Sequence, residues 1–159
     1  MGLMGALSSE LRSWIVPGRA GALAITDARG EPCIARIWAA RAHGASDVIE
    51  IYLQRGSATS LLEALDAPRR GALNLIEVHT YRSRTFKGPC ELSREPVDVP
   101  FSDASVDAVG RVFHSVGMPV DAAAMMLGHA EEGRDMVAVC LTVETVFDQS
   151  PKPGAGAPL

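Results

Sequence analysis

The fold of this chain is decided by the stretch Ala35-Arg36-Ile37-Trp38-Ala39-Ala40-Arg41, followed by Tyr52-Leu53-Gln54-Arg55-Gly56-Ser57-Ala58-Thr59. The first stretch places arginines on a β-strand, and the second places a Gly-Ser turn at the start of a helix. An arginine fork binds a phosphate dianion through charge-assisted hydrogen bonds, and free N–H groups at a helix N-terminus bind its remaining oxygens. The two stretches together predict a site for a phosphorylated cofactor on a small β-barrel.

The chain has 159 residues, of which 47% are hydrophobic and 21% are charged, close to the average of globular domains. We expect one domain over residues 1–150 and a flexible tail, rich in proline and glycine, over residues 151–159. The first residues contain no basic n-region and no apolar run of the length that a signal peptide or membrane span needs. A cytoplasmic protein that does not bind a membrane is therefore predicted.

Positive charge is concentrated in the first half of the chain. Residues 29–94 hold ten basic and seven acidic side chains, whereas residues 95–159 hold three basic and ten acidic ones. Surfaces that bind nucleic acid usually carry a larger, lysine-containing patch and a basic net charge, but this chain has a net charge of −4. We expect no nucleic-acid partner and a small anionic ligand.

The cysteines and histidines indicate no metal site. The three cysteines lie 57 and 50 residues apart, a spacing typical of reduced core residues and not of a Cys-x-x-Cys site. The four histidines show no His-x-x-x-His spacing, and no glycine-rich phosphate loop or Gly-x-Ser-x-Gly motif is present. No metal is predicted, and the catalytic residues stay unknown.

Hydrophobic periodicity predicts six short antiparallel strands, over residues 20–26, 33–39, 48–53, 72–79, 82–92 and 136–147. The predicted helices span residues 7–16, 57–65, 102–116 and 120–127, with Ser57 and Ser102 as caps of the second and third. The third strand alternates, so that its Tyr52 side lies opposite the apolar side and is available for a ligand. Closing such strands into a barrel removes exposed edges, and a barrel this narrow binds a cofactor on its outside.

These motifs resemble the pyridoxamine 5′-phosphate oxidase-like family, the FMN-binding split β-barrels, over roughly residues 20–92. In that family an Arg-x-x-x-x-Lys segment contacts the cofactor, and Arg36-Ile-Trp-Ala-Ala-Arg41 is similar to it, with arginine replacing lysine. Residues 52–59 fall on a Tyr-Thr-x-x-Gly-Ser-Arg-Lys element, although the final basic pair is absent. Residues 81–88 resemble the next block, in which the Ser83 position lies near the flavin ring.

The resemblance implies a mainly β fold with flanking helices, a six-stranded antiparallel split β-barrel of the FMN-binding type. It also implies a homodimer with FMN at the subunit interface and a small-molecule substrate. The implied function is that of an FMN-binding flavoprotein, an oxidoreductase of the pyridoxamine 5′-phosphate oxidase-like class whose substrate is unidentified. The implied cofactor-binding residues are Arg36, Ile37, Trp38, Arg41, Tyr52, Leu53, Ser57, Thr59, Ser83 and Arg84.

The chain also departs from the oxidases of this family. It lacks their C-terminal segment of arginine, histidine and aspartate that binds the phosphorylated substrate, and its two predicted helices over residues 102–127 are an insertion. Three alternatives therefore stay open: a split barrel that binds deazaflavin F420, one that binds haem, and a non-enzymatic dimer that binds flavin or another ligand.

Overall fold

The computed structural model describes residues 6–119 and 135–159. These residues form three α-helices, eight β-strands and one 3₁₀ turn. In chain order they are α1 (Ser9–Trp14), β1 (Ala20–Thr26), β2 (Pro32–Arg36), β3 (Ala39–Ala42), β4 (Val48–Gln54), the 3₁₀ turn (Arg55–Ser57), α2 (Thr59–Ala64), β5 (Arg69–Glu77), β6 (Arg82–Leu92), α3 (Val99–Ser115), β7 (Met136–Thr142) and β8 (Thr145–Asp148). The helix expected over residues 120–127 lies outside the described residues. Within the described ranges, no helix has the length and apolar character needed to cross a membrane.

All strand pairs are antiparallel, and the strands form one sheet in the order β2-β1-β5-β6-β7-β4-β3. The central strand β6 pairs with β5 along one edge. Its other edge pairs with β7 at residues 90–92 and with β8 at residues 84–87. The mainly β architecture with flanking helices is confirmed. The described residues form eight strands where six were predicted, because two of the expected strands are each divided in two.

The strand expected over residues 33–39 is divided because its side chains stop alternating. Trp38 and Ala39 are neighbours in sequence, yet both pack in one apolar cluster with Tyr52. Two consecutive residues on the same face are typical of a β-bulge, which bends the strand. As a result β2 pairs with β1 before the bend, and β3 pairs with β4 after it.

The last predicted strand, over residues 136–147, is divided at Val143 and Glu144. The N–H group of Val143 donates to the carbonyl of Asp47 at 2.7 Å, and that of Glu144 donates to the carbonyl of Lys87 at 2.9 Å. The chain therefore turns from β4 towards β6 at this point. Sequence periodicity does not detect the change, since the β-branched composition continues through it.

The inner face of the sheet carries the main hydrophobic core. On β4 the side chains of Ile49, Ile51 and Leu53 are fully buried in it, which agrees with the predicted alternation. Tyr52, on the outer face of β4, is fully buried as well, because α3 packs over it. The ring centroids of Tyr52 and of Phe101 in α3 lie 5.4 Å apart. The expectation that this face is available for a ligand is therefore wrong for the described chain.

Two helices begin at positions other than those predicted. Ser57 lies in the 3₁₀ turn and donates its hydroxyl to a carbonyl of β4 at 3.2 Å, so it does not cap α2, which begins at Thr59 without a side-chain cap. Helix α3 begins before Ser102 and is capped by Asp98, whose Oδ1 accepts from the Phe101 N–H at 3.0 Å. Proline at the start of α3 is compatible with this cap, because the first turn has no acceptor for its N–H groups.

The C-terminal tail, residues 151–159, folds back along β8. The N–H of Asp148 donates to the carbonyl of Ala157 at 3.0 Å, and the N–H of Leu159 donates to the carbonyl of Val146 at 2.9 Å. Main-chain hydrogen bonds therefore join part of the tail to β8, although the tail is rich in proline and glycine.

A charged cluster joins the tail to β6. The Asp148 side chain is 6% exposed and accepts from Arg84 Nη1 at 2.9 Å and from Lys152 Nζ at 2.6 Å. The hydrogen bond from Lys152, followed by those from Ser150, holds the pKa of Asp148 well below its usual range. The Asp148 carboxylate is therefore ionised at physiological pH.

We expect Asp148→Asn to destabilise the protein near neutral pH and to have little effect in strong acid. The folded pKa of Asp148 is lowered, so its stabilisation is complete above the unfolded pKa of about 4 and is lost as the pH falls towards the folded pKa. Urea unfolding of both proteins near neutral pH and at about pH 3 measures the difference. A difference in unfolding free energy that does not shrink in acid would contradict this assignment.

Candidate functional site

Four of the residues predicted to bind a cofactor lie together on the outer face of the sheet. Arg36 is the last residue of β2, Arg41 lies in β3 and Tyr52 in β4, with Trp38 between β2 and β3. The N–H of Trp38 donates to the carbonyl of Tyr52 at 2.9 Å, which ties the bend to β4. The structure thus brings these four residues to the region where α3 covers the sheet.

Arg36 is exposed and carries an available positive charge. Its guanidinium carbon lies 5.5 Å from the centroid of the Trp38 ring and 5.8 Å from that of Phe113 in α3, as expected from its alternation with Trp38. No carboxylate of residues 6–119 and 135–159 forms an ion pair with it. A guanidinium held against aromatic rings without a counter-ion is well suited to bind an external anion.

Arg41, in contrast, is held by two carboxylates. Its Nε donates to Glu50 Oε2 at 2.7 Å, and its Nη1 donates to Asp98 Oδ2 at 2.8 Å. A third hydrogen bond runs from Nη2 to the Tyr52 hydroxyl oxygen at 3.2 Å. With one positive and two negative charges, this group does not attract a phosphate as it stands.

Tyr52 is a neutral group in this arrangement. Burial, followed by the neighbouring Glu50 carboxylate, raises the pKa of Tyr52 to about 12. The phenol therefore keeps its proton at physiological pH. It contributes packing and a hydroxyl next to Arg41, and it does not supply an anion.

The turn after β4 holds two further residues that were predicted to bind the cofactor, Ser57 and Thr59, together with Arg55. Arg55 is exposed and pairs with Asp135 at 3.2 Å, while Thr59 donates its hydroxyl to carbonyls of the preceding turn. The described aromatic contacts of Arg36 are with Trp38 and with Phe113 in α3, away from this turn.

A shallow, largely apolar depression of about 340 Å³ opens beside this turn. Its lining residues are Arg55, Thr59, Leu62, Glu63, Leu92 and Val137. Leu92 is 41% exposed there, so the depression presents apolar surface next to a cation. Sequence analysis did not identify it, because Leu92 and Val137 reach the turn only through strand pairing.

Ser83 and Arg84 lie on opposite faces of β6. Ser83 accepts a hydrogen bond from Asn74 Nδ2 at 3.0 Å on the outer face. Arg84 is buried, pairs with Asp148, and has its guanidinium carbon 5.7 Å from the centroid of the Trp14 ring. The structure therefore places Ser83, and not Arg84, on the side of the sheet that carries Arg36.

Two further predicted residues, Ile37 and Leu53, have buried side chains in the main core, with exposures of 3% and 0%. A ligand on the outside of the sheet can reach them only through their main-chain atoms. The N–H of Ile37 already donates to the carbonyl of Gly21 in β1 at 3.1 Å.

The outer side of β2, β1, β5 and β6, which faces away from the main core and carries several small residues, is called the open face. Direct strand partners place Arg36, Ala22, Asn74 and Thr85 in one row across it. These residues stay partly or fully exposed, whereas the alternate residue Leu23 is fully buried. The signal in the sequence is alanine at every second position of β1, which indicates a face that a flat partner can approach closely.

Neither histidine nor acidic residues form a metal site in the part of the chain that the structure describes. His79 shares a hydrogen bond of 3.2 Å with the hydroxyl of Ser115, which links the β5–β6 turn to the end of α3. His129 lies outside the described residues.

Three solved structures are similar to this chain. That of HupZ from Group A Streptococcus has a TM-score of 0.55 and 15% identity, and the match covers 95% of this chain and 98% of that chain. An F420 reductase has a TM-score of 0.51 and 15% identity, covering 88% and 98%. A protein related to general stress protein 26, of the pyridoxinephosphate oxidase family, from Clostridium acetobutylicum has a TM-score of 0.46 and 14% identity, covering 83% and 80%. No protein-family model and no curated protein matches the chain.

At 15% identity, the likeness to HupZ and to the F420 reductase shows a shared fold alone. As a resemblance of fold, the likeness to pyridoxamine 5′-phosphate oxidase-like proteins that the sequence indicates is confirmed.

The side chains fit a phosphorylated flavin in one part of the candidate site and not in another. Arg36 offers a guanidinium beside aromatic rings that no carboxylate of residues 6–119 and 135–159 pairs with. Arg41 does not fit a phosphate while both carboxylates hold it. Of these two arginines, Arg36 is therefore the one whose surroundings fit a phosphate group.

Proposed function

We propose that this chain is an FMN-binding flavoprotein, an oxidoreductase of the pyridoxamine 5′-phosphate oxidase-like class that acts on a small substrate. The observation that carries the proposal is Arg36, an exposed guanidinium with no ion-pair partner among the described residues, at the border between α3 and the open face. The shared fold with the F420 reductase supports a redox cofactor of the flavin type. The substrate remains unassigned.

We infer that the sheet is a six-stranded split barrel. The N–H of Ile37 donates to β1 at Gly21, and the next N–H, that of Trp38, donates to β4 at Tyr52. β2 and β3 occupy the two ends of the sheet order and are joined by these two residues alone. If β2 and β3 are counted as one bent strand, and β7 and β8 as another, the sheet has six strands. The first of these bent strands then links β1 to β4.

In this proposal each residue has a defined task towards the cofactor. Arg36 binds the phosphate by a bidentate, charge-assisted contact. Trp38 and Phe113 fix the Arg36 guanidinium and exclude water from one side of it. FMN, when bound, supplies the electron-transfer chemistry, so no catalytic set of protein side chains is required.

We also propose a homodimer formed through the open face. Ile34 lies two residues before Arg36 on β2 and is 68% exposed, and the neighbouring alanines leave a flat surface beside it. Burying this surface against a second copy would remove apolar area from water and place two Arg36 residues at the interface. Sedimentation equilibrium at micromolar concentration is expected to give twice the chain mass of 16.8 kDa. A stable monomer, with and without FMN, would contradict the dimer.

Titration of the purified protein with FMN and with riboflavin tests the proposed ligand. The two molecules share the ring system and differ in the phosphate. Because Arg36 is assigned to the phosphate, FMN should bind about tenfold more tightly or better. Equal affinities, or no binding of either, would remove the FMN assignment.

A non-enzymatic ligand-binding dimer is the second candidate, and the state of Arg41 favours it. An arginine neutralised by Glu50 and Asp98, under a helix that covers Tyr52, leaves less of the outer face for a flavin ring and a substrate together. This candidate predicts FMN or another ligand bound without turnover. Reduction of the bound flavin by a range of small electron donors separates the two functions.

A further inference from the structure

Arg41 joins the sheet to the start of α3. On the sheet side it pairs with Glu50, its direct strand partner, and on the helix side it pairs with Asp98, the cap of α3. Its guanidinium carbon also lies 4.5 Å from the ring centroid of Phe101, in the first turn of α3. One guanidinium therefore holds both the cap and the first aromatic residue of the covering helix.

The two carboxylates differ in how readily they can leave Arg41. The Glu50 side chain is 5% exposed and is fixed opposite Arg41 by the pairing of β3 with β4. The Asp98 side chain is 39% exposed and lies at a helix end, and Arg41 itself is 34% exposed. Partly exposed ion pairs of this kind contribute little to stability, so Asp98 is the carboxylate that an external anion can replace.

We propose that Asp98 occupies an oxyanion site at Arg41, and that an oxyanion of a ligand binds there by displacing Asp98 and releasing the first turn of α3. The inference rests on the proposed function, since the phosphate of FMN is assigned to Arg36 and the relevant oxyanion at Arg41 belongs to a substrate of the flavoprotein. It adds a second anion site to that at Arg36. Because Glu50 stays in place, the exchange of one carboxylate for one oxyanion keeps Arg41 paired throughout.

Release of Asp98 changes the surface that a ligand meets. Phe101 packs on Tyr52 and on Arg41 through the first turn of α3. When that turn leaves, the Tyr52 ring and its hydroxyl become accessible next to the anion site. The covering helix thus makes access to this part of the outer face depend on the presence of an oxyanion.

The variant Asp98→Asn tests the exchange without removing the helix cap. Oδ1 of Asp98 caps the Phe101 N–H and Oδ2 faces Arg41, so asparagine keeps the capping oxygen and turns an N–H₂ group towards the guanidinium. The matched control is Asp107→Asn, which removes one negative charge from an exposed position of the same helix. The probes are inorganic phosphate, FMN and riboflavin, compared at constant ionic strength.

In wild type, phosphate should increase hydrogen exchange of the Phe101 and Ser102 amides, both of which bond to Asp98. In Asp98→Asn this exchange should already be raised, because the ion pair that ties the capping residue to Arg41 is lost. Phosphate should bind about two- to fivefold more tightly to this variant, with the affinities of FMN and riboflavin unchanged. Asp107→Asn should behave as wild type.

Unaltered phosphate affinity in Asp98→Asn, or amide exchange that does not respond to phosphate in wild type, would overturn the inference. If phosphate gives the expected changes but FMN binds to no variant, the displacement at Arg41 stands and the proposed flavin function fails. If FMN binds and Asp98→Asn has no effect on phosphate affinity, the function stands and the displacement fails.

Discussion

Gly88→Ala is expected to destabilise the protein severely. A Cβ atom at position 88 would overlap the main-chain carbonyl oxygen of Thr142 at the end of β7. The neighbouring hydrogen bond from the Glu144 N–H to the Lys87 carbonyl fixes the two segments against each other, so neither can move without losing pairing. Overpacking typically lowers the free energy of unfolding by about 1–3 kcal/mol. Because this clash is with main-chain atoms, we expect a loss of about 3 kcal/mol or more.

The control for this substitution is Gly110→Ala, in the interior of α3, where an added Cβ would meet no atom within 4 Å. Alanine there should stabilise the helix by about 0.5–1 kcal/mol, because glycine loses more conformational freedom on folding. Urea unfolding of both variants measures the two effects. A Gly88→Ala protein as stable as wild type would mean that β6 and β7 do not approach as closely as the structure places them.

Arg36→Ala is expected to weaken FMN binding by about 1.5–3 kcal/mol, or roughly 10- to 150-fold, the range for a hydrogen bond to a charged group. The reason is that Arg36 is the cation of the outer face that no carboxylate of the described residues neutralises. Isothermal titration of the variant with FMN measures the loss. Arg36→Lys should recover part of the affinity, since it keeps the charge but lacks the planar fork.

The matched control is Arg29→Ala, which removes an arginine that is 83% exposed and pairs with Asp27 in the β1–β2 turn. It changes the net charge by the same amount, away from the candidate site, and should leave FMN affinity unchanged. If both variants lose affinity equally, the effect is one of general charge. If neither loses affinity, Arg36 does not bind the phosphate.

The sequence predicted those parts of the fold that depend on local pattern. The alternation along β4 identified Ile49, Ile51 and Leu53 as its inner face, and all three are fully buried. The strand predicted over residues 20–26, before a run of turn residues, is observed with the same bounds as β1. Both inferences need only the period of a strand and the chemistry of a turn.

The parts that failed depend on contacts between distant segments. Whether the Tyr52 side of β4 is open or covered is decided by α3, which packs on it through Phe101. The charge state of the Arg41 site is decided by Asp98, 57 positions away along the chain. Neither relation leaves a periodic signal, so sequence reasoning treated Arg41 as equivalent to Arg36.

The division of the predicted strands has the same origin. The bend at Trp38 lets one segment pair with β1 and then with β4, and each half has the composition of an ordinary strand. For the same reason Ser57, a good cap by residue type, bonds within its own 3₁₀ turn instead. Local preference is weak enough that tertiary pairing decides between such alternatives.

The most direct test of the central claim is the visible absorption spectrum of the purified protein, followed by identification of any chromophore released on unfolding. A flavin spectrum is expected, with FMN released in a ratio approaching one per chain, or restored to that ratio when the purified protein is incubated with FMN. A Soret band, a deazaflavin spectrum, or a colourless protein that takes up no FMN would contradict the assignment of this chain as an FMN-binding flavoprotein.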